Sequence, residues 1–353
     1  MGVIGVVDRR NVRRGLLLGA AWAMVGGRPE HAHAESKLER PRLVMAVGAR
    51  TSLQQLPLTI AERLGYYAAE GLEVEVLDVG SGVRAQQAMA DGAADVACSA
   101  FDDFLMLHAK KQLHRAFVLL GRTPQVAFGV SRRYMPGYHK VSDLKGMAIG
   151  IAAPGASAML VARLVLARAG LLAQDVRFVE TAGVVAALQA IRSGQVDAMV
   201  HVEPVMTMLE QKGDVRIIGD TRSLKGASDI FGGMVPASCL HASADYVQNH
   251  PNTVQALTNA VVRALKWLQT AGPSDLIKAV PDSYLLGDRA LYLAAFGKVR
   301  ESIALDGIIA EDSVKNIVRI MGRLEPALQA DKLDLDRVFT NSFARKAKER
   351  FRA

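Results

Sequence analysis

Two rhythms of apolar and polar residues alternate along the chain. Short apolar runs, some alternating residue by residue, are separated by longer stretches whose apolar positions recur every three or four residues. The first rhythm predicts strands and the second helices. From residue 42 the order reads strand "RLVMAV" (42–47), helix "LPLTIAERLGYYAAEG" (56–71, ending at Gly71), and strand "LEVEVLDV" (72–79). Helix 83–92, strand 94–99, helix 102–112 and strand 115–121 follow. Repeated strand and helix call for a parallel sheet covered on both faces.

"GRTPQ" (121–125) interrupts the series and a second one begins. Strands are predicted at 126–131, 147–152, 176–180, 196–200 and 215–218, and helices at 157–169, 184–193 and 204–212. Gly194 and Gly213 mark helix ends. "IFGGMVPASCLHA" (230–242) then brings a Gly pair and another strand. From 251 onward the pattern is helical only: 251–271, 274–280, 288–302, 311–323 and 335–350. The fold class expected is α/β, with two doubly wound domains. Domain I comprises 35–124 and 233–353, and domain II (125–232) is inserted into it. The final helices, lacking a sheet of their own, are expected to pack on domain I. Two connecting segments make a hinge, and ligands of open α/β sheets bind beyond the carboxyl ends of the strands.

The first residues follow neither rhythm. Arg9, Arg10, Arg13 and Arg14 precede a mostly apolar run from Leu16 to Gly27, and Ala32-His33-Ala34 follows. Basic head, short apolar middle and A-x-A tail predict an export signal cleaved after Ala34, hence a periplasmic protein. "RRGLLL" loosely resembles a twin-arginine signal, which leaves that route and the general one both open. Over 353 residues the chain carries 43 Lys+Arg and 35 Asp+Glu. Without residues 1–34, which hold five Arg and two acids, the count is 38 against 33, or +5. That mild excess, with no interleaved aromatics or zinc-finger spacing, argues against nucleic acid as a partner. The two cysteines, Cys98 and Cys239, form no C-x-x-C motif. Each sits in an apolar run and reads as a small buried hydrophobe, although an oxidising compartment would permit a disulfide.

Catalytic signatures are missing. H-E-x-x-H, G-x-S-x-G and the Walker A loop do not occur, and the eight His are scattered. No metal and no cofactor is expected. "VGSGVRA" (79–85) fits G-x-G-x-x-A, but it follows the second strand, and Asp102 opens a helix instead of closing that strand, which argues against a dinucleotide. The loops at the strand ends are small, polar or Gly-containing: "GARTSLQQ" (48–55), "GSG" (80–82), "SAF" (99–101), "GRT" (121–123), "APGAS" (153–157), "TAG" (181–183) and "HVEP" (201–204). They leave room for a small ligand and bare backbone donors at helix N-termini. The candidate ligand residues are Arg50, Ser52, Gly80, Ser81, Gly82, Ser99, Ala100, Phe101, Thr123, Gly155, Ala156, Ser157, Thr181 and Glu203. Arg50 suits a carboxylate or sulfonate. Phe101 offers a stacking face or simply packs in the core. Ser157 is a cap or a ligand donor, and Glu203 a first-turn acid or an acceptor for a ligand N–H.

Four stretches carry a family resemblance: "LPLTIAERLGYYAAEGLEVEV" (56–76), "QQAMADGAADVACSA" (86–100), "VSDLKGMAIGIAAPGASAMLVARLVLARAGL" (141–171) and "AALQAIRSGQVDAMVHVEP" (186–204). With them the chain resembles the periplasmic solute-binding proteins of ABC importers in the nitrate/sulfonate/taurine group, which includes thiamine-pyrimidine-precursor binders. The resemblance implies a type II periplasmic binding fold and a protein that delivers a small organic solute to an inner-membrane permease; a monomer is expected. It places Ser52, Gly80–Gly82, Ser99–Phe101, Gly155–Ser157 and Glu203 at ligand-contacting positions. His201-Val202 stands where many members of the group have an aromatic beside the Glu-Pro loop. An enzyme of the thiamine-pyrimidine-synthase type on the same fold is the alternative, and it would require a His/Cys cluster in the cleft.

Overall fold

The computed structural model describes residues 37–153 and 157–353. The export signal therefore lies outside the described residues, as do Gly155 and Ala156. Residues 37–353 form one compact unit. No helix among the described residues is long and apolar enough to cross a membrane.

Among the described residues ten strands make two five-stranded sheets. The first holds β1 (Arg42–Val47), β2 (Glu73–Asp78), β3 (Val96–Ala100), β4 (His114–Leu119) and β10 (Ser238–Ser243), in the order β2-β1-β3-β10-β4. The second holds β5 (Val126–Ser131), β6 (Ala148–Ile151), β7 (Arg177–Glu180), β8 (Ala198–Val202) and β9 (Val215–Asp220), in the order β7-β6-β8-β5-β9. The plan is the same twice. β3, β5 and β6 are buried almost throughout, because helices cover both faces.

One expectation needs correction. The sheets are mixed, not parallel: β10 runs antiparallel to β3 and β4, and β5 antiparallel to β8 and β9. Each of these two is the first strand after the chain passes from one sheet to the other. It enters from the carboxyl-end side and so runs against its neighbours. The two passages are tied together: Leu120 N donates to Ser238 O (2.8 Å) and Ala237 N to Gly121 O (3.0 Å).

Helices differ in detail from their predicted extents. Residues 56–71 break into Leu56–Arg63 and Tyr66–Ala69 at Gly65, whose φ of 70° only glycine adopts freely. Leu224–Phe231 is a helix where no element was expected, with the Ser223 hydroxyl accepting from Gly226 N (3.0 Å) and Gly232 closing it in the left-handed conformation. Helix Pro251–Thr270 packs on Leu56–Arg63 and Ser342–Phe351 beside the first sheet. Two later helices reach further than expected. Arg289–Val299 touches Val205–Gln211, and Glu311–Leu324 touches Leu224–Phe231, both of the second sheet's layer. The thiols of Cys98 and Cys239 are free and buried.

Candidate functional site

Carboxyl ends of strands from both sheets converge on one cavity of about 110 Å³. The first sheet contributes the loop after β1 (Gly48 to Gln55), Gly80–Gly82 after β2, and Cys98–Ala100 with Asp103 around the end of β3. The second contributes Ala152, Ser157 and Ala158 after β6, Gly183 and Val184 after β7, and His201–Val205 from β8 onward. Close backbone approach builds this wall. A Cβ on Gly48 would stand 2.3 Å from the Ser81 carbonyl carbon and 2.4 Å from Gly82 N, so only glycine lets the β1 loop lie against the start of helix Gly82–Ala90. The Ser81 hydroxyl caps that helix by accepting from Arg84 N (3.3 Å).

Of the sequence-predicted residues, Ser52, Gly80, Ser81, Gly82, Ser99, Ala100, Ser157 and Glu203 line the cavity together. Four others have different places. Arg50 is ion-paired with Glu62 on the neighbouring helix. Phe101 is fully buried and stacks edge to face on Phe104, centroids 5.2 Å apart. The Thr123 hydroxyl donates to Thr221 O (2.7 Å) and ties the passage between sheets. Thr181 donates to Ile151 O (3.1 Å), stitching β7 to β6.

Three side chains that the sequence reading passed over matter more. His201 is 4% exposed, lines the cavity, and has no hydrogen-bond partner on either ring nitrogen among the described residues. Its burial pushes the pKa down to about 4, so the imidazole is neutral at pH 7. Gln55, 5% exposed, leaves Oε1 without a partner among the described residues, as the already predicted Ser52 leaves its Oγ. Asp103 lines the cavity, is 7% exposed, and accepts no hydrogen bond from a described residue. Burial first, and then the neighbouring Asp102 charge, raise its pKa well above the ordinary carboxylate value. Asp102, also buried, accepts the Ser157 hydroxyl (2.7 Å), a bond from one sheet's layer to the other's. "HVEP" carried a signal for His201, and the acidic pair opening helix Phe101–Ala109 carried one for Asp103, but such acids usually just face a helix dipole.

Glu203 is compensated by its own surroundings. Its carboxylate accepts from Arg222 Nη1 (2.7 Å) and from Thr207 N (2.9 Å), and its carbonyl accepts from Leu53 N (3.2 Å) across the cleft. Arg222 is itself buried and also holds Asp220 (2.6 Å). No Lys or Arg stands in the described lining.

Nucleophilic chemistry finds little support here. Cys98 lines the cavity, but burial pushes its thiol up to about 12, far from a reactive thiolate. Ser99 Oγ lies 2.9 Å from His241 Nε2, yet His241 Nδ1 has no partner among the described residues, so no carboxylate there orients or stabilises an imidazolium. Among the described residues no group of three or more His, Cys, Asp or Glu is suited to a metal ion.

Residues 52–272 match the sequence profile of the family described as NMT1/THI5-like. A solved structure of a protein from Bordetella bronchiseptica RB50 is 46% identical, with a TM-score of 0.87, covering 90% of this chain and 100% of that one. The alkanesulfonate-binding protein SsuA from Xanthomonas axonopodis pv. citri, solved with MOPS bound, is 17% identical with a TM-score of 0.65, covering 88% and 99%. YtlA of Bacillus subtilis (strain 168), named as a candidate binding protein, is 23% identical over 236 residues, or 66% of this chain and 68% of that protein. The shared fold is that of periplasmic binding proteins.

Proposed function

Because the chain belongs to the NMT1/THI5-like family, we propose that it is the solute-binding component of an ABC importer. It works in the periplasm, captures a small organic solute between two lobes, and hands it to an inner-membrane permease. The lobes are residues 35–124 with 233–353, and residues 125–232. The cargo belongs to the range covered by sulfonates, taurine, nitrate and pyrimidine-like molecules.

One observation carries this reading. Strand-end loops of both sheets enclose a cavity in which His201, Gln55 and Ser52 hold buried polar atoms that no described protein group satisfies. Such atoms cost free energy unless something fills the space and bonds to them. A cargo does so, and contacts made only when both lobes engage would drive closure. The buried Cys98 thiol, and a Ser99–His241 contact with no described carboxylate behind the imidazole, favour binding over catalysis.

Native mass spectrometry of the exported protein, purified without refolding, tests the proposal. The expected result is a protein ion carrying a small-molecule adduct that is lost on collisional activation. A bare protein that also shows no thermal shift across sulfonates, carboxylates, pyrimidines, amines and nitrate would overturn it.

A further inference from the structure

Two side-chain acceptors in the described lining stand without donors. Gln55 offers a buried amide oxygen with no partner among the described residues, and Asp103, 7% exposed, lines the cavity with a carboxyl that no described residue is seen to hydrogen-bond. Glu203, the other acid of the lining, already has Arg222 and Thr207 N. No cationic side chain faces the space from the described lining. A bare anion would therefore meet main-chain amides at the helix starts, but it would also sit beside Asp103 with no positive side chain to offset it. A cation would find a carboxyl without a partner. Neutral His201 adds one donor and one acceptor and leaves that balance unchanged.

We infer that the cargo carries a protonated amine or amidine, received at Asp103 with the Gln55 amide oxygen as a second acceptor, and that simple anions such as nitrate and unsubstituted alkanesulfonates are poor ligands. This rests on the binding-protein reading and names the chemistry of its ligand. Asp102 is not a rival docking point, because the Ser157 hydroxyl already occupies it at 2.7 Å. Only the nitrogen end of the cargo is assigned to Asp103 and Gln55. The opposite end meets Gly80–Gly82 and the remaining backbone donors.

The test uses matched small probes and the exported full chain. Propylamine and acetamidine form one arm, propanesulfonate, butyrate and nitrate a second, and propionamide a third, each read as a thermal shift and as a titrated Kd. The expected result is stabilisation by the first arm, with Asp103→Asn weakening it at least tenfold. Asp91→Asn, a change at an exposed position, should retain the response. The small molecule released on denaturing the purified protein should contain a basic nitrogen. A response to the anions alone, an unimpaired Asp103→Asn variant, or a released molecule without basic nitrogen would overturn the inference while leaving the binding-protein reading intact. Silence from every probe together with no released molecule would remove both.

Discussion

At the scale of single residues, buried titratable groups set opposing pH dependences. Burial lowers the pKa of His108 and His241 and brings His114 and His201 down to about 4. The folded chain keeps these rings neutral where the unfolded chain, titrating near 6.5, takes up protons. Their stabilisation is complete above about 6.5 and is lost as pH falls toward 4. Asp102 and Asp103 act in the other direction. With folded pKa values raised above 3.8, they hold protons that the unfolded chain has released, so they favour the fold at acid pH and cost stability as pH rises. Four histidines outweigh two aspartates, so urea unfolding should show lower stability at pH 5 than at pH 7. Asp103→Asn should separate the two effects. At pH 7.5 it should be more stable than the parent by about 1–3 kcal/mol, the cost of a buried carboxyl without a donor. Its loss on acidification should be steeper by up to one proton, about 1.4 kcal/mol per pH unit. A less stable Asp103→Asn at pH 7.5 would mean that the carboxyl has a structural partner. A residue that destabilises the fold yet faces the cavity is what a binding role predicts.

At the scale of elements, the site depends on how closely the β1 loop meets helix Gly82–Ala90. Gly48→Ala places a methyl within 2.6 Å of three backbone atoms of Ser81 and Gly82, and backbone cannot rotate away as a side-chain tip can. The expected cost is about 1–3 kcal/mol in denaturant titration, with ligand binding reduced more than tenfold because Gly80–Gly82 is displaced. Unchanged binding would show that this contact does not shape the cavity. The same scale explains what could be read from the sequence. Buried strands such as β3 and β6 are legible because both faces are apolar and Gly or Asp punctuates their ends. Strand direction is not legible: the apolar run of β5 reads identically in either sense, and only the tertiary path makes it antiparallel. Leu224–Phe231 escaped because it is short and carries Gly226 in its first turns. The loops were legible as a set, through their small residues. Individual partners were not, since Arg50 meets Glu62 and Thr123 meets Thr221 by contacts that sequence spacing does not reveal. His201 and Asp103 look ordinary in sequence and become distinctive only when the fold buries them without partners among the described residues.

At the scale of the whole molecule, the described structure holds the two sheet layers together across the cavity by a few contacts of unequal worth. Ser157 Oγ to Asp102 Oδ1 (2.7 Å) is buried, whereas Arg84 to Glu180 (3.2 Å) has side chains 59% and 41% exposed. If cargo capture is closure of two lobes, affinity includes the free energy of forming these contacts, and the ratio of their effects is calculable. The exposed pair is worth at most about 1 kcal/mol and is screened by salt. Arg84→Ala should therefore weaken binding less than about fivefold, and less still at high salt. Ser157→Ala strips a hydroxyl from a buried carboxyl, a loss of about 1.5–3 kcal/mol in the closed form alone. It should weaken binding by about ten- to a hundredfold, nearly independently of salt. Small-angle scattering adds the structural arm: unliganded Ser157→Ala should be more expanded than the parent and should contract when saturated with cargo. Equal effects of the two substitutions, or identical scattering with and without ligand, would mean that the layers form a rigid body and that the cavity fills without any closing motion.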